Sequence, residues 1–527
     1  MRNFQKPGRS SVYSSNGMVA TSHPLASKVA LDSLNSGGNA VDAALAAALV
    51  LPICEPQMTG LCGDMFALLK LPNSEKIVGL NSSGRSPKRL TADALRHKGI
   101  KKISANSPHA ITMPGAVAGF ERLAKDFSNL GLSAACEPAI SYAKKGIPVA
   151  PRVAFDWKRN ANALSEHSKQ HYLINGQVPR EGAIFKAPLQ AEVLEQISSR
   201  GARGFYGGDV GEDIIKSLKN LGGYHTLEDL ANVSCKYVEP WVSNYRNVEL
   251  IELPPNGQGA TALLLGNILS NFELNTMDPI GYQRVHLEAE ASKLAYQMRN
   301  KHIADEKFLQ NDFKLTLSQK YAKDLASLIN LNYASPDLQS STEEFHLDTV
   351  LLTVVDKNRC AISLIFSIFH AFGSGHSSEK YGLLFQNRGA GFTMEKNHPN
   401  ELAGGKRPLH TIIPAMVRNN GRLMLSYGVM GGQYQPVGHI RILSNLIDYK
   451  MDLQEAIDMP RTFADSSGLL VEEGYDETIL AKLRAMGHNI VSPESPLGGA
   501  QAIFIDNNNN TLIGASDPRK DGLAIGF

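Results

Sequence analysis

Apolar positions recur at helical spacing through residues 17–51, interrupted by Gly37-Gly38-Asn39, and predict two helices in succession. The second is alanine-rich, and its small side chains suit close packing against a sheet. Residues 60–71 (GLCGDMFALLKL) read as a turn feeding a buried strand. From about Ser107 to Asn330 the pattern is mainly helical, with amphipathic stretches such as PGAVAGFERLAKDF and GYQRVHLEAEASKLAYQM. Asn332 to Asp348 is polar, acidic and poor in large apolar groups, which is linker composition. The character then changes. Thr349–Phe372 is rich in β-branched and aromatic residues around an Asp-Lys-Asn turn, and predicts a hairpin of two strands. Further strands are predicted at Gly382–Phe385, Leu423–Tyr427 and Ala502–Ile505, with a helix over Gln435–Tyr449 and a turn at Asn507–Asn510.

Composition narrows the function classes. The chain has 527 residues, enough for about three average domains or one large composite fold. It carries 53 basic and 51 acidic side chains, a formal net charge of +2, which gives no electrostatic footprint for nucleic acid or an anionic membrane. Five cysteines (Cys54, Cys62, Cys136, Cys235 and Cys360) are odd in number and lack metal-ligand spacing, against both a disulfide framework and a zinc site. The lead MRNFQKPGRSSVYSSNGM lacks the apolar core of a secretory signal, and AALAAALVLPIC is too short to span a bilayer. The expectation is a soluble, cytoplasmic protein.

Several motifs compete for the chemistry. Gly257-Gln258-Gly259-Ala260-Thr261-Ala262 follows the strand-like VELIEL and resembles a dinucleotide turn. Pro254-Pro255-Asn256 intervenes, however, and a loop before a packed helix is the stronger reading. His370, His376, His410 and His439 show no HExxH-like pairing, so no metal is expected. No G-x-S-x-G elbow is present. Asp348-Thr349 is the better candidate. A chain-terminal Thr carries its own base, the α-amine, which titrates near 7.7–8.0 and can take the hydroxyl proton. Thr349 becomes terminal if the bond after Asp348 is cut, and an acidic linker meeting a strand-initial Thr is a plausible cleavage site. On composition alone, a strand-initial Thr is more often merely a good strand former.

Blocks in order along nearly the whole chain resemble the γ-glutamyltransferase (glutathione hydrolase) family of N-terminal-nucleophile hydrolases. They include SHPLAS (22–27), GGNAVDAALAAAL (37–49), MPGAVAGF (113–120), TVVDKN (353–358), FGSG (372–375), GKRPLHTIIP (405–414), MGGQ (430–433) and ASDPR (515–519). The resemblance implies an α+β fold, a four-layer αββα sandwich, made as a precursor that cuts itself before a Thr. Here that gives a large subunit, 1–348, and a small catalytic subunit, 349–527, which stay associated. By the same resemblance Thr349 is the nucleophile, Ser367 a hydroxyl bonded to it and Thr353 a further supporting hydroxyl. Gly431 and Gly432 supply the backbone N–H groups of the oxyanion hole, a role suited to residues that let the backbone come close.

The departures bear on substrate. Family members that act on γ-glutamyl groups hold the α-carboxylate and α-amine with an Arg, an Asn, an acid and paired Ser residues. In this sequence Ser83 stands at the Arg position with Arg85 nearby. Phe369 replaces the Asn, Gly391 the acid, and His410-Thr411 the Ser pair. Arg388 appears in QNRGAGF (386–392), where the guanidinium fork suits a carboxylate. The pattern is similar to the oxamate amidohydrolase-like branch. The expected activity is hydrolysis of a small carboxylate-bearing amide through an acyl-enzyme, without a cofactor. Arg388, His410, Thr411, Phe369 and Arg85 are the expected substrate-binding residues, and the expected partners are that substrate and the two subunits themselves. The alternatives are a γ-glutamyltransferase or glutathione hydrolase with a divergent pocket, a nucleotide-binding oxidoreductase using Gly257–Ala262, and an unprocessed pseudoenzyme. The sequence leaves open whether the processed pair forms a homo-oligomer.

Overall fold

The computed structural model describes residue 5 and residues 8–309, 313–336 and 349–527. Fourteen strands form two seven-stranded sheets. In chain order they are β1 (Val12–Ser14), β2 (Met18–Thr21), β3 (Asp64–Lys70), β4 (Ile77–Ser82), β5 (Lys236–Val238), β6 (Trp241–Tyr245) and β7 (Val248–Glu252). The remainder are β8 (Val350–Val355), β9 (Ala361–Ser367), β10 (Ala415–Asn419), β11 (Arg422–Met430), β12 (Gly499–Asp506), β13 (Thr511–Ser516) and β14 (Leu523–Gly526). One sheet runs β1-β13-β12-β11-β10-β7-β6 and the other β14-β2-β8-β9-β3-β4-β5. Every pairing within both sheets is antiparallel.

The sheets pack face to face over Phe66, Ile251, Leu351, Ile365, Met416, Met430 and Ile503. Helices cover both outer faces, which completes four layers, αββα. Over the β2–β5 sheet lie α1 (Pro24–Asn35), α2 (Ala40–Cys54), α3 (Ala116–Phe127), α4 (Gly131–Lys145) and α5 (Pro188–Arg200). Over the other lie α6 (Gly259–Leu269), α7 (Tyr282–His302) and α8 (Gln435–Ile447). Every residue of α2 is buried, as its alanine content allows. Asn39 and Asp42 close its first turn as a capping box. Asp42 also accepts the Asn129 and Leu130 amides at 2.9 and 2.8 Å, tying α2 to the start of α4.

The hairpin over Thr349–Phe372 is present as β8 and β9, and the two helices near the start as α1 and α2, preceded by β2. Gly382–Phe385 is not a strand. Its backbone is spent in local bonds, Leu383 and Phe385 donating to or accepting from Ser374, His376 and Ser378, so an apolar run is buried as irregular chain. The Gly257–Ala262 turn does join a strand to a helix, β7 to α6. Both neighbours of β7 are antiparallel, whereas a dinucleotide fold needs parallel βαβ pairing. Among the described residues no helix is long and apolar enough to cross a membrane.

Candidate active site

Thr349 precedes β8, an interior strand of its sheet, and is 1 % exposed. Alternate residues of a strand face opposite sides. Val350, Leu352 and Val354 point into the helical layer, while Leu351 and Val355 point into the space between the sheets. Residue 349 shares the inner face. The β8–β9 register pairs Val350 with Phe366, and one further step sets Thr349 opposite Ser367. On the facing sheet, Thr353 Oγ1 lies 2.7 Å from Ser426 Oγ, and a Cβ added at Gly428 would stand 2.3 Å from Leu351 Cδ1. The strands therefore run antiparallel across the sandwich, and the same progression brings Thr349 level with the end of β11 and Gly431-Gly432. Thr353 is four residues further on, roughly 13 Å along the strand. Its hydroxyl is engaged with Ser426, so it braces the two sheets rather than the nucleophile.

After β11 the chain turns sharply. Gly431 has φ 116° and ψ 35° and Gly432 φ 52°, and a short 3₁₀ turn (Gly432–Tyr434) leads into α8. A φ of 116° is open to glycine and closed to nearly every other residue. Gln258 fixes this turn from below. Its side-chain amide donates to Gly432 O at 2.9 Å and to Thr411 O at 2.6 Å. Arg299 Nη1 in turn donates to Gln258 Oε1 at 2.8 Å and also to Gln433 Oε1. The residues 257–258 are laced by backbone to His410, so the glycine-rich turn serves as a seat for the loop carrying His410 and Thr411.

A cavity of about 480 Å³ adjoins this turn, with Phe369, Gly391, Thr411, Gln433, Arg299 and the exposed Lys101 and Lys102 among its walls. Gly391 contributes no side chain to it. Phe369 holds φ 80°, unusual for a bulky residue and characteristic of positions constrained for function. Its amide donates to Ser367 Oγ at 2.8 Å, and its ring lies 4.0 Å beneath the Arg388 guanidinium. Arg388 is fully buried. Its Nη1 donates to Thr411 Oγ1 at 2.7 Å, while Nε and Nη2 have no hydrogen-bond acceptor among the described residues. Burial pushes the guanidinium down to about 9, opposed by the field of Asp64. The structure thus sets Arg388 behind Phe369, beside the cavity and not in its wall.

His410 is placed differently from a substrate ligand. It is fully buried, with Nε2 donating to Asp64 Oδ2 at 3.0 Å and Nδ1 accepting the Ile412 amide at 3.4 Å. Burial, with Arg388 nearby, pushes its pKa down to about 3, so the ring is neutral and supports the loop. Arg85 is not brought to this cavity. It pairs with Asp305 at 2.8 Å and lines a separate cleft with Ser83 and Ser86, because that carboxylate is its local counter-charge. Asp348 lies outside the described residues.

Two supporting residues, Asp64 and Gln258, carry no local signal of their role in the sequence. Asp64 accepts the Gly84 and Gly115 amides and Gln386 Nε2, at 2.8, 3.2 and 2.9 Å, besides His410. By register it also sits across from Ser367. Gln258 was visible only as the middle of a glycine motif. Gln258→Leu would leave Thr411 O without its side-chain donor, at about 1–3 kcal/mol, and Gly432 O with the Gln435 amide alone. We expect a lower Tm and a reduced kcat with KM little changed, read by thermal denaturation and steady-state kinetics.

The gamma-glutamyltranspeptidase family profile matches residues 26–527. The chain is 33% identical to the glutathione hydrolase-like YwrD proenzyme of Bacillus subtilis (strain 168), covering 98% of this chain and 99% of that protein. It is 34% identical to the oxamate amidohydrolase proenzyme of Klebsiella pneumoniae, covering 98% and 100%. Among solved structures, cephalosporin acylase from Bacillus halodurans superposes with a TM-score of 0.92 at 35% identity, over 100% of this chain and 99% of that one.

Proposed function

Because the chain belongs to the gamma-glutamyltranspeptidase family, we propose that it is a self-processing amide hydrolase. It cuts itself between Asp348 and Thr349 into chains 1–348 and 349–527, and Thr349 is its nucleophile. The observation that carries this reading is the position of Thr349, at the head of a buried interior strand, opposite Ser367 and level with Gly431-Gly432. Relatives named as proenzymes support the processing step. The two chains would stay together without a linker, since β8 and β9 of the smaller are hydrogen-bonded to β2 and β3 of the larger.

The chemistry follows from these positions. The Thr349 α-amine takes the hydroxyl proton as Oγ1 attacks the amide carbonyl. The N–H groups of Gly431 and Gly432 receive the developing oxyanion. Collapse expels the amine, which takes the proton held by the α-ammonium, and leaves an acyl ester on Thr349. Water, deprotonated by the same amine, releases the acid.

The substrate class proposed is a small amide bearing a carboxylate. Arg388 supports it, with two buried guanidinium nitrogens that have no acceptor among the described residues, an arrangement costly to keep unless an anion is its occasional partner. Movement of the Phe369 ring would give a carboxylate access to it. The cavity walls carry Lys101, Lys102 and Arg299 against one carboxylate, Glu395, so a free ammonium finds repulsion there. Oxamate, glutathione and a γ-glutamyl anilide assayed side by side test this: the acid amide without an α-amine is expected to turn over best. Arg388→Leu is expected to raise KM for acidic amides on the order of 10–100-fold, with neutral amides little affected. Glutathione turning over at least as well as oxamate would restore the γ-glutamyl reading, which the resemblance to a glutathione hydrolase-like relative keeps as the second choice.

A further inference from the structure

Away from the proposed active site, α7 displays His286 and Glu290 one helical turn apart, and His488 comes to meet them from the turn after the helix Glu477–Ala485. All three are buried, and one donor atom from each lies within 4.8 Å of the others. His286 Nδ1 and His488 Nε2 are 2.8 Å apart. His286 Nε2 faces Asn330 O at 2.6 Å and must donate to it, which leaves the Nδ1 lone pair aimed at His488. A ring N–H spent on a backbone carbonyl is the usual outer partner of a metal-ligating histidine. Glu290 Oε2 accepts the Ser335 amide at 3.0 Å, and Oε1 is ion-paired with the Lys293 ammonium. On its open side the cluster meets a cavity of about 680 Å³ whose walls include His488, Lys293, Ser335 and Asp465.

We propose that His286, Glu290 and His488 form a binding site for one divalent ion of the zinc type. Two imidazoles and a carboxylate are a donor set that Zn²⁺ accepts, with water completing a tetrahedron from the cavity. Tetrahedral bonds of about 2.0–2.1 Å set ligand nitrogens roughly 3.3 Å apart, so the two rings need part by only about half an ångström. His488 must then carry its proton on Nδ1, and Lys293 must release Glu290, turning into the cavity it already lines. The site also holds the chain beyond α7: Ser335 is bound to Glu290, and the Ala334 amide donates to Met486 O at 2.7 Å. An ion here would fasten residues 334–335 to the body of the protein.

The test uses the full chain stripped of metal with a chelator and titrated with Co²⁺ and Zn²⁺. One Co²⁺ per chain should bind with the strong visible absorption of a tetrahedral site and without a thiolate charge-transfer band. Zn²⁺ should displace it and raise Tm. His488→Gln and Glu290→Gln should each weaken binding by at least the order of 10–100-fold that loss of an outer partner costs. Circular dichroism checks that each is folded, and either folded variant suffices. Absence of the visible band, a thiolate band, or binding unchanged in a folded variant would overturn the proposal.

Discussion

In the Thr349→Ala variant the chain is expected to remain whole and to have no amidase activity. The substitution removes one hydroxyl and one methyl from a buried position, so the β8–β9 pairing that holds this end of the strand is kept and the fold survives. What is lost is the only atom proposed to attack, first the bond after Asp348 and then the substrate. Without that cut the α-amine is an amide nitrogen and no longer a base. Removing the nucleophile in an acyl-transfer enzyme lowers kcat on the order of 10⁶-fold. Thr349→Ser, which keeps the hydroxyl, should still be processed. A denaturing gel and an amidase assay read both, and cleavage of the Ala variant at that bond would rule out self-cleavage by Thr349.

The second large effect is expected at Gly431. Valine cannot hold a φ of 116° with ψ near 35°, so the turn after β11 must re-form and its N–H groups lose their aim. Loss of one oxyanion donor costs on the order of 10²–10³ in kcat. Gly431→Val should lose at least that much, with KM changed far less, because apart from Gln433 the named cavity walls, Phe369, Gly391 and Thr411 among them, are built by other segments. Both numbers come from steady-state kinetics on protein already processed. Unchanged turnover in a folded, processed variant would remove this turn from the mechanism.

The hairpin at 349–372 was readable because β-branched residues flank an Asp-Lys-Asn turn, a local signal that the tertiary structure does not override. The αββα layering itself came from the family resemblance, since helical and strand periodicities do not say which sheet a strand joins. Gly382–Phe385 misled because buried apolar chain has strand composition even when its backbone bonds are local. The start of a strand just after Thr349 was legible from the change of composition there, whereas the partners of the residues around it were not. His410 reads as a polar group available to substrate until Asp64, 346 residues away, is seen to occupy it. Arg85 likewise finds Asp305. Such partners are chosen by the fold, and no spacing in the sequence encodes them. His286 and Glu290 did carry a signal, an i,i+4 pair in HLEAE, but His488 lies far along the chain.

The central claim is that Thr349 works as a chain terminus. Intact mass of the purified wild-type protein under denaturing conditions, with N-terminal sequencing of its smaller component, tests it most directly. Two masses are predicted, corresponding to residues 1–348 and 349–527 and summing to the full chain plus one water, with the smaller beginning Thr-Val-Leu-Leu. A single full-length mass in a preparation that hydrolyses amides, or a smaller chain that begins at any other residue, would contradict the account.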